Sequence, residues 1–308
     1  MKVSIVVSLY NEAEILPLFY AEIMKIADKI SGGYELIFVN DGSTDLSQSI
    51  IDKISDENPN VKSICFSRNF GHEAAMIAGI DYAQGDAVIC MDSDLQHPPA
   101  SIPQMIECFE NQQADVINMI RANVKSSSLS HLFYKFLNSI SKHQIEPNAS
   151  DFFLISRRVA DVMRENYRER VRFLRGFIQI VGFKKISLTY DANQRTAGES
   201  KYSIRKLASL SVTAIAIMSK LPLKISIFAS ALSGLFSIFL VIFSLIMWIV
   251  EQKPIPGYTT LVVFLGIMFS ILFFILGILG QYIGFLFDEQ KGRPIYIVEK
   301  TKNITGIQ

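Results

Sequence analysis

The sequence DAVICMDSDLQHPP, residues 86–99, joins a run of apolar and β-branched residues to a loop that holds two carboxylates. The run Asp86–Met91 predicts a buried strand, and three similar runs precede it, at Val3–Ser8, Glu35–Asn40 and Val61–Phe66. These runs are separated by helical patterns near residues 12–30, 45–57 and 72–83. This alternation predicts an α/β fold of βαβ units with a mainly parallel sheet covered on both faces.

Polar segments follow each predicted strand directly, at 10–12, 40–45, 67–73 and 92–99. The carboxyl ends of parallel strands meet at one edge of a sheet, where ligands bind near a switch point in strand order. We therefore expect these four segments to converge on one site. The sequence contains neither GxGxxG nor GxxxxGK[ST], so a nucleotide bound there would not use either of those phosphate-binding loops.

Asp92 and Asp94 form a carboxylate pair at the point where a strand runs out into a loop. Such a pair can hold Mg²⁺ or Mn²⁺ and leave coordination positions open for diphosphate oxygens. Asp41 follows an earlier strand, where it suits contact with a nucleotide base or ribose. A cap on the helix that begins near Thr44 is the alternative interpretation of Asp41.

The overall charge argues against nucleic acid as a partner, because 30 Lys and Arg balance 29 Asp and Glu in 308 residues. Three cysteines offer no disulfide framework, and the four histidines have no spacing that indicates a zinc site. The residues before Asn11 are too few for a signal-peptide core with a cleavage site, so we expect the first domain not to be exported.

Two long uncharged stretches, 225–250 and 254–287, predict transmembrane helices in a chain whose mean hydropathy is +0.29. Basic residues flank both outer ends, so the positive-inside rule predicts a hairpin with those ends in the cytoplasm. The pattern of residues 201–224 favours an amphipathic helix at the membrane surface, although an ordinary surface helix has a similar pattern. The GxxxG motif at Gly280–Gly284 favours a homo-oligomer.

The strings VSLYNE (7–12), VNDGSTD (39–45), SRNFGHEAAMIAG (67–79) and DSDLQHPP (92–99) together resemble the donor-binding half of family 2 glycosyltransferases of the GT-A fold. Two further strings, RTAGESKY (195–202) and FDEQKGRP (287–294), resemble segments of the polyprenyl-phosphate enzymes in that family. The resemblance covers nearly the whole chain. It implies a GT-A catalytic domain at 1–200, a juxtamembrane helix at 201–224, two transmembrane helices within 225–287 and a cytoplasmic tail at 288–308.

The resemblance also implies a reaction: inverting transfer of one sugar from a nucleotide-sugar to undecaprenyl phosphate, with Mg²⁺ or Mn²⁺, at the cytoplasmic face of the membrane. The catalytic residues that it implies are Asp92, Asp94 and Asp151. Its donor-binding residues are Tyr10, Glu12, Asp41, Arg68, Asp92 and Gln96. Its acceptor and phosphate residues are Arg121, Arg195, Ser200 and Lys201, and its metal ligands are Asp94 and Gln96.

Several alternatives remain open at the level of sequence. UDP-glucose is the first choice of donor, with UDP-N-acetylglucosamine, UDP-galactose and GDP-mannose as others, and an inactive membrane scaffold is a different class of function. Asp151 is expected to position groups, with base catalysis as the lesser role. Phe153 and Ala100 depart from the family pattern, which has an arginine and an acid there.

The stretch 164–224 holds thirteen Lys and Arg against four Asp and Glu, which suits a lipid phosphate.

Overall fold

The computed structural model describes residues 1–122, 138, 146, 149–169, 174–192, 221–251 and 257–304. The chain divides into two compact units, one formed by residues 1–202 and 293–308 and the other by residues 203–292. The juxtamembrane segment 201–224 lies almost entirely outside the described residues, so the prediction of an amphipathic helix there stays a prediction. Leu221–Lys224 form the first turn of a longer helix.

The first unit is built on an eight-stranded sheet with the order β7-β5-β6-β4-β1-β2-β3-β8. Four strands pair in parallel at its centre, β4-β1-β2-β3, while β6 and β8 run antiparallel to their neighbours β4 and β3. The strand bounds are β1 Val3–Leu9, β2 Tyr34–Asn40, β3 Val61–Phe66, β4 Ala87–Asp92, β5 Val116–Arg121, β6 Ala149–Ser156, β7 Lys185–Tyr190 and β8 Val298–Lys302. The mainly parallel α/β sheet predicted for this part of the chain is confirmed.

Helices connect the strands and cover the sheet, so every residue of β1, β2 and β3 is buried. Their bounds are α1 Leu16–Ala27, α2 Ser47–Glu57, α3 His72–Tyr82, α4 Ile102–Gln112, α5 Arg157–Asn166 and α6 Leu174–Ile180. Local sequence sets some of the helix starts: a proline lies in the first turn of α1 and of α4, and the hydroxyl of Ser156 caps α5 by accepting the Val159 N–H.

The strand order reverses at β1, because β2 and β3 extend the sheet on one side of it and β4 lies on the other. In the parallel register, Ser8 of β1 lies opposite Asp92 of β4, and Leu9 lies opposite Asn40 of β2. The loops after these strands therefore leave the sheet together at the switch point, which is where open α/β sheets bind their ligands.

Residues after the apolar hairpin return to the first unit and add β8 to its edge, beside β3. The segment before β8 is anchored as well. The Tyr296 ring stacks on Phe66 at 5.1 Å between centroids, and its hydroxyl donates to Asp81 Oδ2 at 2.6 Å. The sequence predicted only a tail over 288–308; in the structure this tail contributes a strand to the eight-stranded sheet.

The second unit consists of two helices, α7 Leu221–Glu251 and α8 Tyr258–Gln290, each long enough to cross a bilayer at about 46 to 50 Å. The sections Pro222–Leu240 and Val263–Gln290 are the most apolar. The helices pack as a hairpin through contacts of Phe236 with Phe264 and of Ser233 with Met268. A Cβ at Gly280 or Gly284 would meet no atom within 4 Å, so self-association through this motif stays a prediction.

Candidate active site

Asp92 and Asp94 stand at the switch point of the sheet. Asp92 ends β4, and 27% of its side chain is exposed. The loop turns back immediately, with Leu95 in a left-handed conformation at φ 61°, and the Gln96 N–H donates to Asp94 Oδ1 at 3.1 Å. Gln96 contacts Asp94 through its backbone, and the expected pairing of the two side chains on a metal ion stays a prediction.

Asp92 belongs to a compact group of four side chains, which we call the His72 cluster: His72, Asp92, Asp151 and Arg175. The Nε2 atom of His72 lies 3.5 Å from Asp92 Oδ1 and 3.7 Å from Asp151 Oδ2. Its Nδ1 atom lies 2.9 Å from the Ser8 hydroxyl, which fixes the orientation of the ring. The structure thus brings the predicted residues Asp92 and Asp151 together through a histidine that sequence reasoning did not select.

Arg175 is the fourth member of the cluster, and it holds Asp151 in a bidentate ion pair. Its Nε and Nη2 atoms donate to the two Asp151 oxygens at 3.2 and 2.5 Å. Burial opposes ionisation of Asp151, but Arg175 and His72 outweigh it and keep the pKa of Asp151 well below its usual range. A carboxylate held in this way is anionic, and both of its oxygens are paired with Arg175. This favours the positioning role over base catalysis, because a carboxylate with a low pKa is a weak base.

The pKa of His72 is shifted upward by the carboxylates of the cluster. Partial burial works against its protonated form, but the carboxylates of Asp92 and Asp151 raise the pKa of His72 to about 9. At neutral pH the imidazole is therefore a cation. The cluster then contains two anions and two cations and is electrically balanced.

A second histidine, His97, supports Asp92 from the protein interior. It is completely buried, its ring stacks on Phe152, and its Nδ1 atom accepts the Asp92 backbone N–H at 3.0 Å. Burial lowers the pKa of His97, and the positive charge of Arg121 adds to this effect against the attraction of Asp92. His97 is thus a neutral side chain that fixes the end of β4.

Asp41 organises the loop that leads into α3. It is buried, and its two carboxylate oxygens accept the backbone N–H groups of Phe70 and Gly71 at 2.6 and 2.9 Å. The neighbouring Gly42 has φ +67°, and a Cβ there would lie 2.4 Å from the carbonyl carbon of Arg68. The two loops are therefore in direct backbone contact, and the expected contact of Asp41 with a nucleotide stays a prediction.

Tyr10, Glu12 and Arg68 lie on loops that leave the same edge. The loop after β1 is tied to the start of α2, because the Glu12 N–H donates to the Ser47 hydroxyl at 3.0 Å. Tyr10 is 45% exposed, and Arg68 is exposed with its guanidinium 4.0 Å from the centroid of the Phe70 ring. Their side chains are accessible to a donor, and their role in binding it stays a prediction.

Arg121, at the end of β5, donates from Nε to the Tyr190 hydroxyl at 3.0 Å. Tyr190 in turn packs edge-on against His97, which links Arg121 to the wall behind Asp92. The other three predicted phosphate residues, Arg195, Ser200 and Lys201, lie outside the described residues. Of the two departures from the family pattern, Phe153 is buried in β6 and Ala100 is exposed.

Comparison with known proteins shows the family to which the chain belongs. Residues 4–170, more than half of the chain, match the model of glycosyl transferase family 2. The chain belongs to glycosyltransferase family 2. It is 38% identical to an uncharacterized glycosyltransferase, YkcC, of Bacillus subtilis (strain 168), over 98% of this chain and 94% of that protein. It is 35% identical to the SfII prophage-derived bactoprenol glucosyl transferase of Shigella flexneri, over 98% of both chains.

A solved structure confirms the fold of this family 2 glycosyltransferase. Glucosyl-3-phosphoglycerate synthase from Mycobacterium tuberculosis, crystallised with Mn²⁺, UDP and phosphoglyceric acid, aligns with a TM-score of 0.50 at 16% identity. The alignment covers 70% of this chain and 76% of that one. The GT-A catalytic fold expected from the sequence resemblance is therefore confirmed, together with the two apolar C-terminal helices.

The donor set of this glycosyltransferase fits a divalent cation that is shared with a substrate. Within the described parts of the chain, no three His, Cys, Asp or Glu side chains are grouped as a complete metal cage. Asp94 and Gln96 instead offer a few oxygen ligands on a partly exposed loop. Mg²⁺ is commonly held by one or two carboxylates plus phosphate oxygens and water, so these residues suit an ion that arrives with a diphosphate.

Sequence reasoning missed two members of the His72 cluster. His72 was visible in the sequence as part of the polar segment after β3. It was considered only as a zinc ligand, and spacing along the chain does not indicate whether a histidine forms an ion pair. Arg175 lay within the basic stretch 164–224 but carried no local signal of its own. Both are identified only by the carboxylates that they contact.

Proposed function

We propose that this glycosyltransferase transfers a single sugar from a nucleotide-sugar to polyprenyl phosphate at a membrane surface, with inversion at the anomeric carbon. The observation that carries the proposal is the match with a bactoprenol glucosyl transferase over 98% of both chains. That match includes the strand-edge site and the apolar hairpin, so it favours a lipid-linked acceptor over a soluble one.

The chemistry of the acceptor agrees with the state of Asp151. A phosphate monoester is already anionic at neutral pH, so its oxygen needs little help from a general base. Asp151 is engaged by Arg175 at 2.5 Å and is a poor base because its pKa is well below the usual range. We therefore propose that it orients the groups around the reacting centre, and that catalysis comes mainly from placing the phosphate oxygen in line with the anomeric carbon.

On the donor side, UDP-glucose is our first choice, because the relatives that match end to end include bactoprenol glucosyl transferases. We propose that Asp94 and Gln96 hold Mg²⁺ or Mn²⁺ with the donor. When bound, the ion neutralises charge on the departing diphosphate. Asp92 would lie beside the donor, while Arg121, Arg195, Ser200 and Lys201 would bind phosphate groups.

The connectivity supports an arrangement in the membrane. The chain leaves the first unit, which carries the site, before α7 and rejoins the sheet of that unit at β8. Both outer ends of the hairpin therefore connect to the same unit. A chain that crosses a bilayer twice returns to the side on which it started. Because basic residues flank these ends in the sequence, we propose that the catalytic unit and both termini face the cytoplasm.

A donor panel tests this function. Full-length protein is incubated with Mg²⁺ or Mn²⁺, polyprenyl phosphate and one radiolabelled donor at a time: UDP-glucose, UDP-N-acetylglucosamine, UDP-galactose or GDP-mannose. We expect labelled lipid in the organic phase with one donor. Absence of labelled lipid with all four donors would contradict the proposal and favour the scaffold.

The same assay tests the role of Asp94. We expect Asp94→Ala to abolish transfer while the protein keeps the unfolding temperature of the wild type. Asp56→Ala is the matched control, because Asp56 is an exposed aspartate on α2, outside the site. Near-normal turnover by Asp94→Ala would contradict the metal assignment.

A further inference from the structure

His72 lies between the two carboxylates of the site, and its position calls for an explanation beyond packing. It is the first residue of α3, and 41% of its side chain is exposed, so it is not a core residue. Its ring is held on both sides, by the Ser8 hydroxyl at Nδ1 and by Asp92 and Asp151 at Nε2. An exposed ring that is oriented this closely serves the groups that it contacts.

The helix to which His72 belongs opposes a positive charge at this position. The amino end of a helix carries a partial positive charge and favours anions, so an imidazolium at the first residue of α3 is locally unfavourable. The two carboxylates overcome this effect. A residue that violates a local rule in this way is most often found at a functional site.

The position of the two carboxylates shows what the ring contributes. Asp92 and Asp151 each carry a negative charge, and Arg175 neutralises only one of them. Both substrates of the proposed reaction, a nucleotide diphosphate and a lipid phosphate, are anions. The His72 ring lies between the two carboxylates, 3.5 Å from Asp92 and 3.7 Å from Asp151, so its removal would leave two like charges facing each other across the gap that it fills.

We infer that His72 is a positioning residue for sugar transfer, because its imidazole bridges Asp92 and Asp151 and holds both carboxylates in place for the substrates. This inference rests on the function proposed above and extends it. His72 does not contact a reacting atom; it acts through the two acids. It therefore differs from Asp94, which would meet the metal and the donor.

The test is steady-state kinetics of His72→Gln in the lipid-transfer assay, with the donor that the wild type uses. Glutamine keeps one hydrogen-bond donor but no charge. The ring lies 3.5 and 3.7 Å from the two carboxylates, and because its replacement removes the group between them we expect kcat to fall about 10- to 100-fold. The KM for the donor should stay within about threefold, because the interaction lost is one that orients groups. Lys53→Gln on α2 is the control, since Lys53 is exposed and outside the site.

A double variant separates positioning from a merely structural effect. If His72 acts through Asp151, then His72→Gln combined with Asp151→Asn should lose little more kcat than the worse single variant, because the two residues act as one unit. Losses that multiply would overturn the inference, and so would an unchanged kcat in His72→Gln. A His72→Gln protein that is unfolded at the assay temperature, judged by circular dichroism, would show a structural role and overturn it too.

The outcomes also separate this inference from the proposed function. If the wild type labels lipid and His72→Gln does so equally well, the inference fails and the function stands. If the wild type labels no lipid with any donor of the panel, the function fails and the inference falls with it.

Discussion

Removal of the Arg175 guanidinium tests the electrostatic reasoning most directly. Among the described residues, Arg175→Gln would leave Asp151, whose side chain is 16% exposed, with His72 as its charged partner at 3.7 Å. Loss of one partner from a buried ion pair costs about 3–5 kcal/mol, and since a third of Arg175 is exposed to screening water we expect about 2 kcal/mol. For a domain of this size, that corresponds to a fall in unfolding temperature of about 4–8 °C.

The assay is thermal unfolding of the full-length protein in detergent, with Lys53→Gln as the control. The double variant Arg175→Gln/Asp151→Asn should recover most of the lost temperature, because it removes the unpaired carboxylate together with its partner. It should not recover sugar transfer, since Asp151 is gone. An unfolding temperature of Arg175→Gln equal to that of the wild type, or simple addition of the two single effects, would refute the reasoning.

The pH dependence follows from the direction of the pKa shift. The folded-state pKa of Asp151 lies below its unfolded value, so its ion pair contributes stability above the unfolded pKa of about 3.9, and this contribution is lost as the pH falls through the folded-state pKa. The gap between wild type and Arg175→Gln should therefore be constant from pH 6 to pH 8 and shrink in acid.

Three further predictions concern residues around the site. The folded-state pKa of His72 is raised to about 9. Its contribution to stability is therefore complete below the unfolded pKa of about 6.5 and is lost as the pH rises through 9. The unfolding temperatures of wild type and His72→Gln should converge by about pH 10. Gly42→Ala should cost at least about 1–2 kcal/mol, because alanine is strained at φ +67° and its Cβ would strike the Arg68 backbone; thermal unfolding and UDP-binding calorimetry should both detect it. Tyr296→Phe should keep the ring stack on Phe66 but lose the hydrogen bond to Asp81, which Arg168 still holds, at about 1 kcal/mol in thermal unfolding.

The four parallel strands could be predicted from sequence because each is a short apolar run followed by polar residues. The observed bounds agree with the predicted ones to within a residue, as in β3, which is Val61–Phe66 in both. β8 could not be predicted. Its sequence, VEKTK, is mostly charged and exposed because it lies at the sheet edge, and its partner β3 is far away in the chain.

Some residues of the candidate site could likewise be predicted from sequence, and others could not. Asp92 and Asp94 follow a strand that the sequence marks clearly, so their place at the sheet edge was predictable. Asp41 was predictable in location, but its hydrogen bonds to Phe70 and Gly71 depend on how two loops pack. The contact of Arg175 with Asp151 depends on a short helix meeting an antiparallel strand, which no local pattern encodes.

The sequence by itself determined the α/β class, the edge of the sheet that carries the acids, the apolar hairpin and the family, because periodicity, uncharged length and local motifs are properties of neighbouring residues. Only the tertiary structure decided which charges meet. Ion pairs form between side chains that the chain order keeps apart, so the balance of Asp92 and Asp151 by His72 and Arg175 exists only after the sheet and its covering helices have assembled.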